Sequence, residues 1–325
     1  MQIYHGLDNS ALCRHGFVSI GNFDGVHCGH QSMIAALIRN ARRHAAPAVV
    51  FTFDPHPIAL LRPGQSPPPL STTERKIELL TLCGVDAVIV YPTDQELLQL
   101  APRDFFDRIV LGQLEARGLV EGPNFFFGRG RAGNIDTLKD YCGEAGIELE
   151  IVPPIVVADQ LVSSSETRRL IADGRVREAG ALLGAAYRVS GTVVRGAERG
   201  RTIGFPTANL EGIRTVLPRD GVYAGRAQVN SRGVNSSAVN SRGDESSWFA
   251  AGINIGPCPT FADQERKVEV HLIGYSGDLY GRRLTVELVE RLRDTVRFDG
   301  IDALKTQLAI DIDRARTLAE QISSR

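Results

Sequence analysis

The sequence predicts two domains: a doubly wound α/β domain on a mainly parallel sheet over residues 1–184, then a small antiparallel β-barrel with a C-terminal helix over residues 185–325. Three observations carry this. At 325 residues the chain exceeds what one hydrophobic core usually holds. Before Gly184, short β-branched runs alternate with amphipathic stretches, which requires crossover connections and parallel strands. After it, strand-like runs succeed one another across Gly, Pro and Asn turns with little helical spacing between them.

In the first domain, residues 17–20, 49–53, 85–91 and 147–152 read as strands. Ile34, Leu37, Ile38 and Ala41 fall at i, i+3, i+4 and i+7, one buried face of a helix. Ser71, Thr72, Thr73 and Glu74 announce another helix before Ile77 and Leu80, because hydroxyls accept the free amides of a first turn. In the second domain, residues 187–194, 221–229, 250–255, 267–273 and 284–292 read as strands. Ile301, Leu304, Leu308 and Ile312 share a helical face suited to closing one end of the barrel. Between two of the strands, Asn-Ser-Arg-Gly at residues 230–233 recurs at residues 240–243 in a polar stretch with few apolar residues to bury, and this insert is expected to be a mobile hairpin extension.

Composition narrows the partners. Lys and Arg number 37 against 38 Asp and Glu, so a net charge of −1 exerts no pull toward nucleic acid or an anionic membrane. No apolar run reaches the length of a membrane span, and the first residues lack a basic region followed by an apolar one. A cytoplasmic protein acting on small molecules is expected. The five cysteines, Cys13, Cys28, Cys83, Cys142 and Cys258, show no C-x-x-C spacing and read as free thiols.

Two motifs carry the chemistry. Gly21-Asn22-Phe23-Asp24-Gly25-Val26-His27-Cys28-Gly29-His30 follows a strand and leads into a helix, where exposed amides and the helix dipole favour a phosphate. Gly29 leaves room for a phosphate chain near the backbone, and His27 and His30 form an H-x-G-H. This motif resembles the Rossmann-like nucleotidyltransferases, which implies nucleotidyl transfer with pyrophosphate leaving and the histidines stabilising triphosphate charge. Thr52 to Pro57 (TFDPHP), Gly122 to Gly133 (GPNFFFGRGRAG) and Ser163 to Arg168 (SSSETR) resemble, in order and spacing, the FMN adenylyltransferase module of bacterial FAD synthetases. The resemblance implies nucleotide or flavin contact at Asn124 and a flavin-facing wall including Phe127, with Phe125 to Phe127 split between wall and core. It implies phosphate contacts from Ser163, Ser164, Ser165 and Arg168. Ser165 stands where the family has Thr, and Thr167 where it has Ile. The first change keeps a hydroxyl; the second puts a polar group at an apolar anchor. His56, between two prolines, reads as loop-shaping, and Asp24 is a weak candidate for a metal ligand beside the phosphates.

The second motif, Ser190 to Leu210, is glycine-rich but lacks the G-K-[ST] ending of a P-loop. It resembles the signature of riboflavin kinase, which implies an ATP-covering loop with Gly200, Arg201 and Gly204, and magnesium ligands at Thr207 and Asn209. Those two side chains supply neutral oxygens on the same side of an extended strand. Phosphorylating an alcohol requires removal of a proton. Val268 to Leu272 (VEVHL) matches the E-x-H segment of that family, making Glu269 the candidate base.

Taken together, the resemblance covers nearly the whole chain in the order of the bacterial bifunctional riboflavin kinase and FAD synthetase. It implies riboflavin plus ATP to FMN plus ADP in the barrel, then FMN plus ATP to FAD plus pyrophosphate in the first domain. Two rivals are a first domain specific for another acceptor, such as a nicotinamide or pantetheine phosphate, and a flavin-binding regulator with decayed catalysis. The Gly122 to Gly133 segment opposes the former, and retention of His27, His30, Asn209 and Glu269 the latter.

Overall fold

A computed structural model describes residues 1–7, 13–196, 199–230, 248–258 and 263–323. The chain separates into two compact units, Met1–Ser164 and Ser165–Arg325. Among the described residues, no helix is long and apolar enough to cross a membrane.

The first unit runs β1 (Gln2–His5), β2 (Phe17–Ile20), α1 (Cys28–Arg43), β3 (Ala48–Asp54), α2 (Pro57–Leu61), α3 (Thr73–Cys83), β4 (Ala87–Pro92), α4 (Gln95–Gln99), α5 (Pro102–Phe105), β5 (Gly118–Glu121), α6 (Ile135–Ala145), β6 (Glu148–Ile151), β7 (Val156–Val157) and β8 (Gln160–Leu161). A π-helical stretch continues α5 to Gln113. Six strands form one sheet in the order β1-β4-β3-β2-β5-β6, every pair parallel. Alternate residues feed opposite faces: Val49 and Phe51 enter one apolar cluster, Ala48 and Val50 the other, which also holds Ile34, Leu37 and Ala41 of α1. Both faces are therefore covered, as a parallel sheet requires. The succession of strands reverses between β2 and β5, which pair only at Phe17–Gly118 and Val18–Leu119. Such a switch point leaves a crevice at the strand carboxyl ends, and the first motif emerges there.

The second unit contains α7 (Ser164–Ala172, from Ser165), α8 (Val176–Leu183), β9 (Tyr187–Val194), α9 (Arg199–Thr202), β10 (Ala208–Glu211), β11 (Gly221–Val229), β12 (Trp248–Cys258), β13 (Asp263–Leu272), β14 (Arg283–Arg293) and α10 (Ile301–Ser323). The six strands close into an antiparallel barrel in the order β10-β13-β12-β11-β14-β9. Tyr187, Val189, Ala224, Ile253, Val270, Val286 and Leu288 fill its core. The helix α8 packs on β9 and β14 through buried Val176, Ala179, Leu182 and Leu183, and Arg177 pairs with Glu290 at 3.0 Å. These contacts explain why the division between compact units falls before α7, earlier in the chain than residue 184.

The expectation for the tail is revised at its first residue. α10 packs against β11, β12 and β14, with Leu304, Ala315 and Ala319 buried, whereas Ile301 is 51% exposed at its first residue. The buried stripe also includes Asp311, whose charge is met by Arg293 at 2.8 Å and the Gln307 amide at 2.9 Å. A buried carboxylate on such a face is tolerable only when paired. Residues 231–247 of the expected hairpin extension lie outside the described residues.

Candidate active sites

The first motif is a turn held against its conformational preferences. Phe23, Gly25 and Val26 all have positive φ, at 48°, 79° and 42°. That region costs a β-branched residue about 1–3 kcal/mol, so surrounding contacts must fix the turn. Asp24 does most of this. Its buried carboxylate accepts the Leu70 amide at 2.9 and 3.0 Å and the Ser71 amide at 3.2 Å. The Gly25 amide donates to Ser71 Oγ at 3.1 Å, Gln31 Nε2 to the Val26 carbonyl at 2.9 Å, and Thr52 Oγ1 to the Asn22 carbonyl at 3.2 Å. Asp24 thus clamps the loop to residues 70–71.

This turn delivers His27 to the N-cap of α1. His27 Nδ1 accepts the His30 amide at 3.3 Å, so the neutral ring carries its proton on Nε2. The two imidazoles stack with centroids 3.7 Å apart and planes 11° from parallel. A β-carbon on Gly29 would stand 3.2 Å from the His27 ring, so its hydrogen side keeps the stack in place. Burial lowers the pKa of His27 to about 4 and that of His30 well below 6.5, the latter further depressed by His27 and by the Lys76 ammonium. Both rings are neutral N–H donors at pH 7. His30 Nδ1 and Asn22 Oδ1 are buried without a hydrogen-bond partner, two polar atoms that a ligand can satisfy. Gly21 and Asn22 are half-buried and Phe23 is buried.

The segment expected to supply further phosphate contacts begins beside this turn. Ser164 Oγ donates to the Asp24 carbonyl at 3.1 Å, and Val162 lies 3.8 Å from the Gly29 β position. Ser164 opens α7, so Ser165 and Arg168 follow on its first turn, three residues apart. Thr167 is fully buried with Leu170 and Ile171, so the polar replacement still occupies an inward position. Asn124 is exposed. Phe127, expected to face flavin, is only 6% exposed and stacks on Phe125 at 5.5 Å, near Phe105 at 5.9 Å. The exposed ring is Phe126, with the Arg131 guanidinium 4.5 Å above it. His56 accepts the Ile58 amide at 3.1 Å and caps α2, a loop-shaping role.

In the barrel, register brings the second set together. Asn209 on β10 lies directly across from Glu269 on β13, and Glu269 directly across from Asn254 on β12. Residues opposite one another in antiparallel strands share a face. Asn209, Glu269 and Asn254 are half-buried, whereas Ala208, Leu210, Val268, Val270, Ile253 and Ile255 between them are buried. The three polar residues therefore line one face outside the apolar core. Thr207, two residues before Asn209, continues that parity and is exposed. His271 Nδ1 donates to the Pro206 carbonyl at 2.7 Å, holding the segment before Thr207 to β13.

The glycine loop presses on the same residues. A β-carbon on Gly196 would overlap the Asn209 amide, and one on Gly200 would overlap the Phe205 carbonyl and reach Thr207 Oγ1 at 3.5 Å. The Phe205 amide closes the loop onto the Gly200 carbonyl at 2.9 Å. Arg201 and Gly204 are exposed on it. Gly196 and Lys76 were not singled out by residue type. Their signal is tertiary: close approach and burial.

Comparison with known proteins agrees with this division. An FAD synthetase family model matches residues 10–166, and a riboflavin kinase family model matches residues 183–319. The Escherichia coli K12 bifunctional riboflavin kinase/FMN adenylyltransferase is 35% identical, with 97% of each chain covered. The Bacillus subtilis protein of the same name is 33% identical over 92% of this chain and 90% of its own. A Streptococcus pneumoniae crystal structure described as a macrolide-efflux protein superimposes with a TM-score of 0.82 at 31% identity, covering 97% of this chain and 98% of its own. With both matched modules in sequence and relatives aligned almost end to end, the chain belongs to the bifunctional riboflavin kinase/FMN adenylyltransferase family.

Proposed function

We propose the following division of labour for the two reactions, phosphorylation of riboflavin and adenylylation of FMN. The observation that carries it is the pairing of Asn209 with Glu269 in the barrel, since it sets a neutral oxygen ligand next to a carboxylate base. Glu269 accepts the proton of the riboflavin 5′-hydroxyl as that oxygen attacks the γ-phosphorus of ATP. Thr207 and Asn209 would hold Mg2+ through their side-chain oxygens. Two neutral side-chain oxygens on one strand face fit a hard cation that keeps water and phosphate oxygens. When bound, it neutralises charge on the phosphates. Gly200, Arg201 and Gly204 cover ATP, and Gly196 keeps the loop against Asn209.

In the first unit FMN brings an anionic phosphate as nucleophile, so attack on the α-phosphorus of ATP needs no base. His27 and His30 donate hydrogen bonds to the triphosphate as pyrophosphate leaves, and Gly21, Asn22, Gly25 and Gly29 line its path. Ser163 and Ser164 bind phosphate oxygens. Asn124 contacts the flavin, and Phe127 supports that segment from the core. The reading keeps both reactions in the cytoplasm.

Separate assays of the two steps test the roles. Glu269→Gln is expected to lower FMN formation at least a hundredfold while FAD formation from supplied FMN persists; unaltered kinase turnover excludes Glu269 as base. His30→Ala is expected to do the converse, and normal FAD formation would remove the histidine from phosphate binding.

Gly196→Ala, by displacing the Asn209 amide, is expected to raise the magnesium concentration needed for half-maximal FMN formation about tenfold or more. Magnesium titration of kinase turnover reads this, and an unchanged midpoint dissociates Asn209 from the metal.

The lowered His27 pKa also sets acid sensitivity. Between pH 6.5 and 4 the unfolded chain gains a proton on His27 that the folded unit does not. Stability is thus complete above about pH 6.5 and declines as pH falls, by up to about 3 kcal/mol at pH 4. Urea unfolding at pH 7 and pH 4.5, compared with His27→Asn, measures it; equal losses in both proteins would acquit His27.

A further inference from the structure

The adenylyl-transfer site gathers the most charge in the reaction, yet its two histidines are neutral. The triphosphate is strongly anionic, and donors without charge complement it only in part. A cation fixed inside the fold stands under the same loop. Lys76, on α3, is only 7% exposed. Its Nζ donates to Thr52 Oγ1 at 3.2 Å and to the Phe53 carbonyl at 3.4 Å, and the Thr52 hydroxyl in turn donates to the Asn22 carbonyl at 3.2 Å. Ammonium, hydroxyl and motif backbone therefore form one chain at the carboxyl end of β3.

A buried ammonium is expensive unless an anion compensates it. Among the described residues no carboxylate lies within ion-pairing distance of Lys76. The nearby acids are engaged elsewhere: Asp24 accepts the amides of Leu70 and Ser71, and Asp54 accepts the Thr73 hydroxyl at 2.8 Å. Asp24 and Asp54 attract the ammonium from a distance, while burial opposes its charge. The positive field of Lys76 also reaches His30. A phosphate chain bound over the turn would supply the missing anion.

We propose that Lys76 is the fixed cation of the adenylyl-transfer site, a positioning residue that sets the Asn22 carbonyl through Thr52 and complements the ATP triphosphate from beneath the loop. This rests on the adenylyl-transfer role of the first motif. The negative charge it answers belongs to ATP, so its loss weakens use of ATP and leaves the flavin end alone. A residue that merely filled space would disturb both substrates.

Steady-state FAD formation from FMN tests this in the full-length chain. Lys76→Met, of similar length without charge, is expected to reduce kcat/KM for ATP about tenfold or more with KM for FMN unchanged, and Lys76→Arg is expected to recover most of the loss. A kcat/KM for ATP within twofold of the parent in Lys76→Met, or an Arg variant no better than Met, overturns the inference. If circular dichroism shows that Lys76→Met disturbs the fold, Thr52→Val decides, because it removes the hydroxyl link and keeps the charge. A threefold or larger loss in kcat/KM for ATP at constant KM for FMN supports the inference, and parental values overturn it. His30→Ala assayed alongside separates two failures: loss there with none at Lys76 defeats this inference alone, whereas no loss at either defeats the role of the motif.

Discussion

The clamp of Asp24 on the amides of Leu70 and Ser71 is the constraint on which the first site depends. Without it, the left-handed backbone at Phe23 and Val26 keeps only the weaker contacts of Ser71, Gln31 and Thr52 to offset it. The turn would relax toward ordinary φ and the chain would leave β2 in another direction. With it, His27 arrives at the N-cap of α1 with Nδ1 turned inward, the His30 amide is satisfied, and the two rings stack. One carboxylate bound to backbone amides thereby helps decide where the two imidazoles point.

The barrel solves the equivalent problem by register. Strand parity puts Asn209, Glu269 and Asn254 on one face and their apolar neighbours in the core. A slip of one residue in β13 would bury Glu269 and expose Val268 or Val270, so core and site enforce each other. The glycines at 196 and 200 matter for a separate reason: side chains there would occupy space already taken by Asn209 and Phe205.

Elements with a clear period were legible in the sequence to within a few residues, including β3, β9, β11 and α1. The four-residue strands β1 and β5 were not. β2, equally short, was legible because its four residues are continuously buried and directly precede the glycine-rich motif. Candidate site residues were legible where they are contiguous, as in Gly21 to His30. Roles set by burial were not. Lys76 sits between Arg75 and Ile77 and reads as a solvated helix position, Phe127 reads no differently from Phe126, and the partners of Asp24 at Leu70 and Ser71 are too distant in sequence to foresee. Asp311 is the converse case, a charge on an inward stripe that only Arg293 explains.

The chemistry of the two reactions accounts for the difference between the sites. Phosphorylation begins with a neutral alcohol, and the barrel presents the Glu269 carboxylate on an accessible strand face beside Asn209 and Asn254. Adenylylation begins with the phosphate that phosphorylation has just attached, already ionised at neutral pH. A base there would be superfluous, and a carboxylate would repel the nucleophile. The first unit accordingly engages Asp24 in backbone hydrogen bonds, keeps its imidazoles neutral, and places its buried charge on an ammonium. Electrostatics therefore follow from the order of the reactions: the group made in the barrel reaches the parallel-sheet unit already charged, so that unit needs no base.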